Sequence, residues 1–319
     1  MVGDMAGKAS LTRRDLLAVG AAGILLPSLA QAAPNPKRKR VLRFAHLTDI
    51  HVQPERAAPE GMEAALKHVQ SQKDKPQLIV TGGDLIMDAF GASKERTKTQ
   101  WDIYTRVLKA NAGIPVRHTV GNHDVWAWGM GNQQESNPKF GKVWACEVLG
   151  LEKPYYSFDQ AGWRFVVLDS TFREGNGYKG RLDDEQFEWL GDLLAKTDAK
   201  TPVLIVSHIP ILAACAYFDG ENEKSGNWVV PGSWMHIDAR RIKDLFKKHP
   251  NVKLCLSGHM HLVDLVAYNG VTYFCNGAVS GGWWGGDYHE CTYGYAMVDL
   301  FNDGTFENRY VPYGWKTRS

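Results

Sequence analysis

Aspartate, asparagine and histidine recur along this chain in short clusters, each placed just after an apolar run. The runs ending at Leu47, Val80, Val120, Val206 and Leu256 lead into Thr48-Asp49-Ile50-His51, Thr81-Gly82-Gly83-Asp84, Gly121-Asn122-His123-Asp124, Ser207-His208 and Ser257-Gly258-His259-Met260-His261. Carboxylates, an amide oxygen and neutral imidazoles together suit borderline-to-hard divalent cations such as Mn, Fe, Zn or Mg. In Asp49-x-His51 and His259-x-His261 the partners lie two apart, so an extended segment would project both the same way. Glycines directly before Asp84, Asn122 and His259 permit a tight backbone approach to one point. Singly, each of these residues reads as a cap or a satisfied polar group; jointly they read as a metal site.

The elements that must position them are legible as apolar and β-branched runs at residues 41–47, 77–80, 115–120, 163–168, 202–206, 252–256, 262–268, 271–274 and 294–300. Helical spacing separates several of them, at 60–72, 98–111, 183–196 and 237–248. Alternating strands and helices followed by a run of strands predict an α/β protein with two packed sheets. The clusters then fall at carboxyl ends of strands, where open α/β sheets gather ligands. Segments 125–154, 209–236 and 276–290 are rich in Trp, Gly and Asn and are expected as long loops. In the last of them Trp283 and Trp284 are candidates to stack on a sugar or base, the alternative being that they pack the loop down.

Composition excludes several classes. The 319 residues, 44% hydrophobic and 23% charged, bury a sizeable core and fit neither a disordered chain nor a fibre. With 37 Lys and Arg against 35 Asp and Glu there is no polyelectrolyte character, so no nucleic-acid polymer is expected as partner. The 5 cysteines form no C-x-x-C pair, which argues against redox or zinc-thiolate chemistry, and their odd number leaves at least one unpaired. Cys255 and Cys275, inside strand-like runs, read as buried thiols.

The amino-terminal stretch reads as an address. Thr12-Arg13-Arg14-Asp15-Leu16-Leu17 opens an apolar run that extends to Ala30, and Ala30-Gln31-Ala32 places small residues where a signal peptidase inspects. The run contains Pro27 and falls short of the roughly twenty residues that span a bilayer, so no stable membrane span is expected. This pattern resembles a twin-arginine signal. The expected organisation is a signal peptide at 1–32, a basic linker at 33–40, and a single domain at 41–319, exported through the signal's machinery to a periplasmic or extracellular location.

Taken in order, D-x-H, G-D, G-N-H-D, a lone His and G-H-x-H resemble the calcineurin-like metallophosphoesterase family, from about Arg43 to His261. Within it, Tyr155-Tyr156-Ser157-Phe158-Asp159 and Val166-Val167-Leu168-Asp169-Ser170 resemble the cyclic-nucleotide-phosphodiesterase-like branch. The resemblance implies a four-layer α/β/β/α sandwich with two divalent metals at its edge. One metal would take Asp49, His51 and His261, the other Asn122, His208 and His259, with Asp84 between both. His123 would be the acid/base residue, and Asp124 would orient a neighbour. The implied reaction is in-line attack on phosphorus by a hydroxide shared between the two cations. Asp88 stands one place late for the protein-phosphatase pattern and its arginine is missing, while Met87 replaces the tyrosine of purple acid phosphatases. The expectation is therefore a hydrolase of small organic phosphates, diesters slightly favoured. An exported phosphomonoesterase scavenger is the alternative; a non-catalytic binding protein is disfavoured by the intact motif.

Overall fold

Two-residue alternation sorts the strand side chains onto two buried faces. At the first strand Leu42 and Phe44 enter one apolar cluster, whereas Ala45 and Leu47 enter another. The computed structural model describes residues 37–318, so the signal peptide expected at 1–32 lies outside the described residues. From Lys39 onward the chain forms one compact unit. It runs β1 (Arg40–Leu47), α1 (Ala58–Gln70), β2 (Leu78–Thr81), α2 (Lys94–Asn111), β3 (Val116–Arg117), α3 (Val143–Leu149), β4 (Tyr156–Gln160) and β5 (Trp163–Val167). There follow β6 (Thr171–Glu174), β7 (Gly177–Gly180), α4 (Asp184–Lys196), β8 (Val203–Val206), α5 (Ala239–Lys248), β9 (Val252–Ser257), β10 (Val263–Tyr268), β11 (Val271–Asn276), β12 (Gly294–Phe301) and β13 (Phe306–Pro312).

Two mixed sheets result, one ordered β13-β12-β1-β2-β3 and the other β10-β11-β9-β8-β5-β4. Between them lie Phe44, Val80, Phe165, Leu204, Leu256 and Val298 among others. Met62, Leu66, Trp101 and Tyr104 of α1 and α2 cover the outer face of the first sheet. Leu190 and Leu194 of α4, with Ile242 and Phe246 of α5, cover the second. This is the anticipated α/β/β/α order of layers. Helix starts follow local chemistry: Ser93 accepts from the Arg96 N–H ahead of α2, and Asp183 from the Gln186 N–H ahead of α4. Among the described residues no helix is long and apolar enough to cross a membrane.

Three expectations need correction. The expected linker at 33–40 overlaps the fold, since Arg40 opens β1 and pairs with Asp74 at 2.6 Å. The strand expected at 115–120 pairs only at Val116 and Arg117, because β3 is the sheet edge and later N–H groups go to side chains. There His118 N–H donates to Tyr156 Oη and Thr119 N–H to Thr81 Oγ1. The loop expected at 125–154 contains a 3-10 segment and α3, and its Trp126, Trp128 and Trp144 are buried core anchors. A seven-residue helix shows too little periodicity to be read in advance.

Phe165 illustrates how the two sheets are held. It is fully buried, stacks on Phe158 at 4.7 Å and meets Phe44 edge-on at 5.5 Å. Replacing it by alanine should cost about 3–5 kcal/mol, read as a lower denaturant midpoint with unchanged slope.

Candidate metal centre

β1, β2 and β3 run parallel in one sheet, and β8 and β9 run parallel in the other, so their carboxyl ends meet along one edge. The loops leaving these ends carry every metal ligand singled out in the sequence, together with His123 and Asp124. The backbone there is not extended as the x-spacing predicted. Asp49, His51, Asp84, His259 and His261 all adopt positive φ, between 46° and 70°. Left-handed turns, rather than a shared strand face, therefore bring the pairs together. For non-glycine residues that conformation is costly and persists only where surroundings enforce it.

A ladder between two loops does so. Asp49 N–H donates to Gly83 O at 3.1 Å, His51 N–H to Asp84 O at 2.9 Å, and Val52 N–H to Leu85 O at 3.1 Å. Gly83 itself has φ +92°. Gly121 and Gly258 serve by being small: a Cβ at Gly121 would overlap Asp84, and one at Gly258 would overlap Thr48 and the Asp49 carboxylate. The carboxylate of Asp49 also accepts from Thr48 Oγ1 at 2.5 Å and from the His259 N–H at 2.9 Å.

Three groups of ligand atoms converge: Asp49 with His51 and His261, Asp84 with His208 and His259, and, between them, His51 with Asp84 and His123. His261 Nδ1 must carry hydrogen, because it donates to the Gly281 carbonyl at 2.5 Å; in the neutral ring Nε2 then presents the lone pair. That atom lies 3.0 Å from His51 Nε2 and 3.4 Å from Asp49 Oδ1. His208 Nδ1 likewise donates to Gly82 O at 2.8 Å, so in the neutral ring Nε2 is the acceptor. It faces Asn122 Oδ1 at 3.0 Å, Asp84 Oδ2 at 3.1 Å and His259 Nδ1 at 3.2 Å. Acceptors turned on acceptors repel unless a cation or a proton lies among them. This donor set fits divalent metal ions.

Titration follows the same logic. Burial lowers His51 to about 4 and His259 to about 3, keeping their lone pairs free. Burial also works against a charged His208, yet Asp84, Asp49 and the Gly82 carbonyl outweigh it and raise it to about 9. A protonated His208 thus takes the place a cation would fill. Burial opposes ionisation of Asp49 and Asp84 too, but the surrounding histidines hold both below the usual carboxylate range.

His123 sits beside this cluster. Its N–H donates to Asp84 Oδ1 at 2.8 Å, its Nδ1 donates to Met87 O at 2.6 Å, and its ring meets His51 edge-on at 4.8 Å. Asp124 is buried away from the ligand atoms, accepting from Gly121 N–H and Leu85 N–H at 2.8 Å and from Ile86 N–H at 3.3 Å. It braces one ligand loop against another, and burial, then the Asp84 charge, push it up to about 7.

The cleft over the cluster has a volume of about 280 Å³. Beyond the ligands it is walled by Tyr178, Asp219, Trp234, Met260, Trp283 and Tyr288. The two neighbouring tryptophans part company here. Trp283 lies over His261 at 4.3 Å. Trp284 is a correction to the substrate-loop expectation: it is 0% exposed, and its Nε1–H reaches the carbonyls of Ile50 and His51 at 3.1 and 3.0 Å. The ring fits under α1 only because residue 61 is glycine. Sequence reasoning missed Tyr178, Asp219 and Tyr288, since Tyr178 stands on the unforeseen β7 and the other two carry no motif. All five cysteines are buried and free.

A family model for calcineurin-like phosphoesterases matches residues 42–263. The chain is similar to a probable cyclic nucleotide phosphodiesterase of a Synechococcus strain, 27% identical, covering 84% of this chain and 91% of that protein. A human serine/threonine-protein phosphatase is 28% identical over 62% of this chain, which spans 58% of it. Among solved structures, a dimetal phosphatase from Danio rerio superposes with TM-score 0.58 at 17% identity, covering 86% of this chain and all of that one, a likeness of fold.

If the acceptor cluster holds metal, Mn²⁺ at about 100 times its dissociation constant should stabilise the chelator-treated chain by about 2.7 kcal/mol in thermal unfolding. Asp84→Asn should abolish that gain.

Proposed function

Because the chain belongs to the calcineurin-like phosphoesterase family, and is therefore a metallophosphoesterase, we propose that it hydrolyses small organic phosphate esters at a dinuclear metal site, diesters somewhat ahead of monoesters. The observation that carries this reading is the convergence of carboxylate, amide and imidazole ligand atoms around His208 and His261. Asp49, His51 and His261 would hold one cation, Asn122, His208 and His259 the other, and Asp84 would serve both. The chemistry that such a pair supplies when bound is activation of water and neutralisation of phosphoryl charge.

The chain's own groups do the rest. Gly281 O and Gly82 O fix the tautomers of His261 and His208, so each presents its lone pair without rearrangement. With Nδ1 tied to Met87 O, His123 has only Nε2 free to give a proton to a departing alkoxide. A cleft of about 280 Å³ admits a phosphate and a small substituent, which suits small esters. The diester preference is supported by the Synechococcus relative's name.

Export completes the reading. Arg13-Arg14 ahead of the apolar residues 16–30 supports a twin-arginine signal cut after Ala32 and a periplasmic or extracellular enzyme. Changing both arginines to lysine should leave the protein in the cytosolic fraction of cells that otherwise export it.

With added Mn²⁺ the chain should release nitrophenolate faster from bis-p-nitrophenyl phosphate than from p-nitrophenyl phosphate, and Asp84→Asn should stop both. Faster monoester cleavage would instead favour the scavenging phosphatase, and no turnover of well-metallated protein would favour the binding protein. For His123→Gln the expected loss is about 10²- to 10³-fold with alkyl leaving groups, which need a proton. It should be much smaller with p-nitrophenolate, which does not.

A further inference from the structure

The far side of the cleft carries a feature that phosphate hydrolysis alone leaves unexplained. Asp219, from the segment between β8 and α5, reaches the same cavity as His51, Asp84 and His259. Its side chain is only 14% exposed. A carboxylate there repels the phosphate that the metal cluster attracts, so it must face another part of the substrate. No Lys or Arg among the described residues lines the cavity, so nothing on that side would hold a second phosphate.

Tyr288 Oη–H donates to Asp219 Oδ1 at 2.6 Å, and His289 Nε2 lies 3.5 Å from the same oxygen. These contacts strap the loop after β8 to the loop after β11 and account for Oδ1. Among the described residues no donor reaches Oδ2. Aromatic rings wall the same cavity: Trp283 and Tyr288, which meet at 5.2 Å with their planes 85° apart, together with Tyr178 and Trp234. A cavity that combines one carboxylate with four aromatic rings suits an organic cation, which aromatic faces attract within about 6 Å. A vicinal diol would use both carboxylate oxygens, and Oδ1 is already engaged.

Resting on the phosphoesterase reading, we propose that Asp219, Trp234, Trp283 and Tyr288 form an alkylammonium subsite, so that preferred substrates are phosphate esters of amino alcohols. Asp219 supplies the countercharge, the rings supply shape and cation–π attraction, and the phosphate lies toward the metal cluster.

The test compares choline with its neutral isostere, 3,3-dimethylbutanol, on the full chain loaded with Mn²⁺. Titration calorimetry should give choline at least tenfold tighter binding. Catalytic efficiency should favour p-nitrophenyl phosphorylcholine over the p-nitrophenyl diester of dimethylbutanol by a similar factor. Asp219→Asn should bring both ratios close to one, and Trp283→Ala should weaken choline binding. Ratios near one in the unaltered chain would overturn the subsite, as would a preference that survives Asp219→Asn. Failure to hydrolyse any nitrophenyl ester would sink the phosphoesterase reading, while the choline titration would still decide the subsite.

Discussion

Lone pairs pointed at one another dominate this molecule. While His208 is neutral, its Nε2, 3.0 Å from Asn122 Oδ1 and 3.1 Å from Asp84 Oδ2, has no hydrogen to share with either, and His51 Nε2 faces His261 Nε2 at 3.0 Å next door. Buried acceptors without donors are costly, and the cost is relieved only by positive charge among them. That explains why His208 is raised despite its burial: the pocket recruits a proton as its substitute cation. It also means that the polypeptide must hold this arrangement against its own repulsion.

The frame that does so is redundant. Both ligand pairs and Asp84 sit in left-handed backbone, which Asp and His tolerate better than most residues but still at a cost. Three inter-loop hydrogen bonds lock the Asp49 loop to the Asp84 loop, and Asp124 locks the Asp84 loop to the Asn122 loop from behind. On the other flank, Ser280 Oγ–H and its backbone N–H both donate to Asp49 O, and Trp284 caps the carbonyls of Ile50 and His51. The ligands are thus fixed through their backbones as much as through their side chains. Such preorganisation matters because a metal-assisted reaction needs its charges placed before substrate arrives.

Much of this was legible in advance, and the limits are physical. Asp49, His51, Asp84, Asn122, His208, His259 and His261 stood out because the chemistry needs those types and strand ends must deliver them. The sandwich of layers followed from two-sided apolar strands such as β1 and β8, which only burial on both faces explains. What failed was conformation within the clusters. A spacing of two suits an extended strand, but positive φ at Asp49 and His51 is invisible in side-chain pattern. The edge strand β3 shrank because its partner lay on one side only, and α3 was too short to show a period.

Trp283 and Trp284 show where such inference stops and why. Both carry positive φ, at 51° and 67°, and the resulting turn sends one ring into the cleft and the other under α1. Composition treats them alike; only the absent side chain at Gly61 and the carbonyls of Ile50 and His51 separate their roles. The same division runs through the site. Motif residues at strand ends match a family-wide pattern, whereas Tyr178, Asp219 and Tyr288, which wall the cleft, come from β7 and two loops that belong to no motif. The reaction is therefore encoded in positions that periodicity and spacing reveal. The remaining walls of the cleft come from loop residues whose convergence only folding creates.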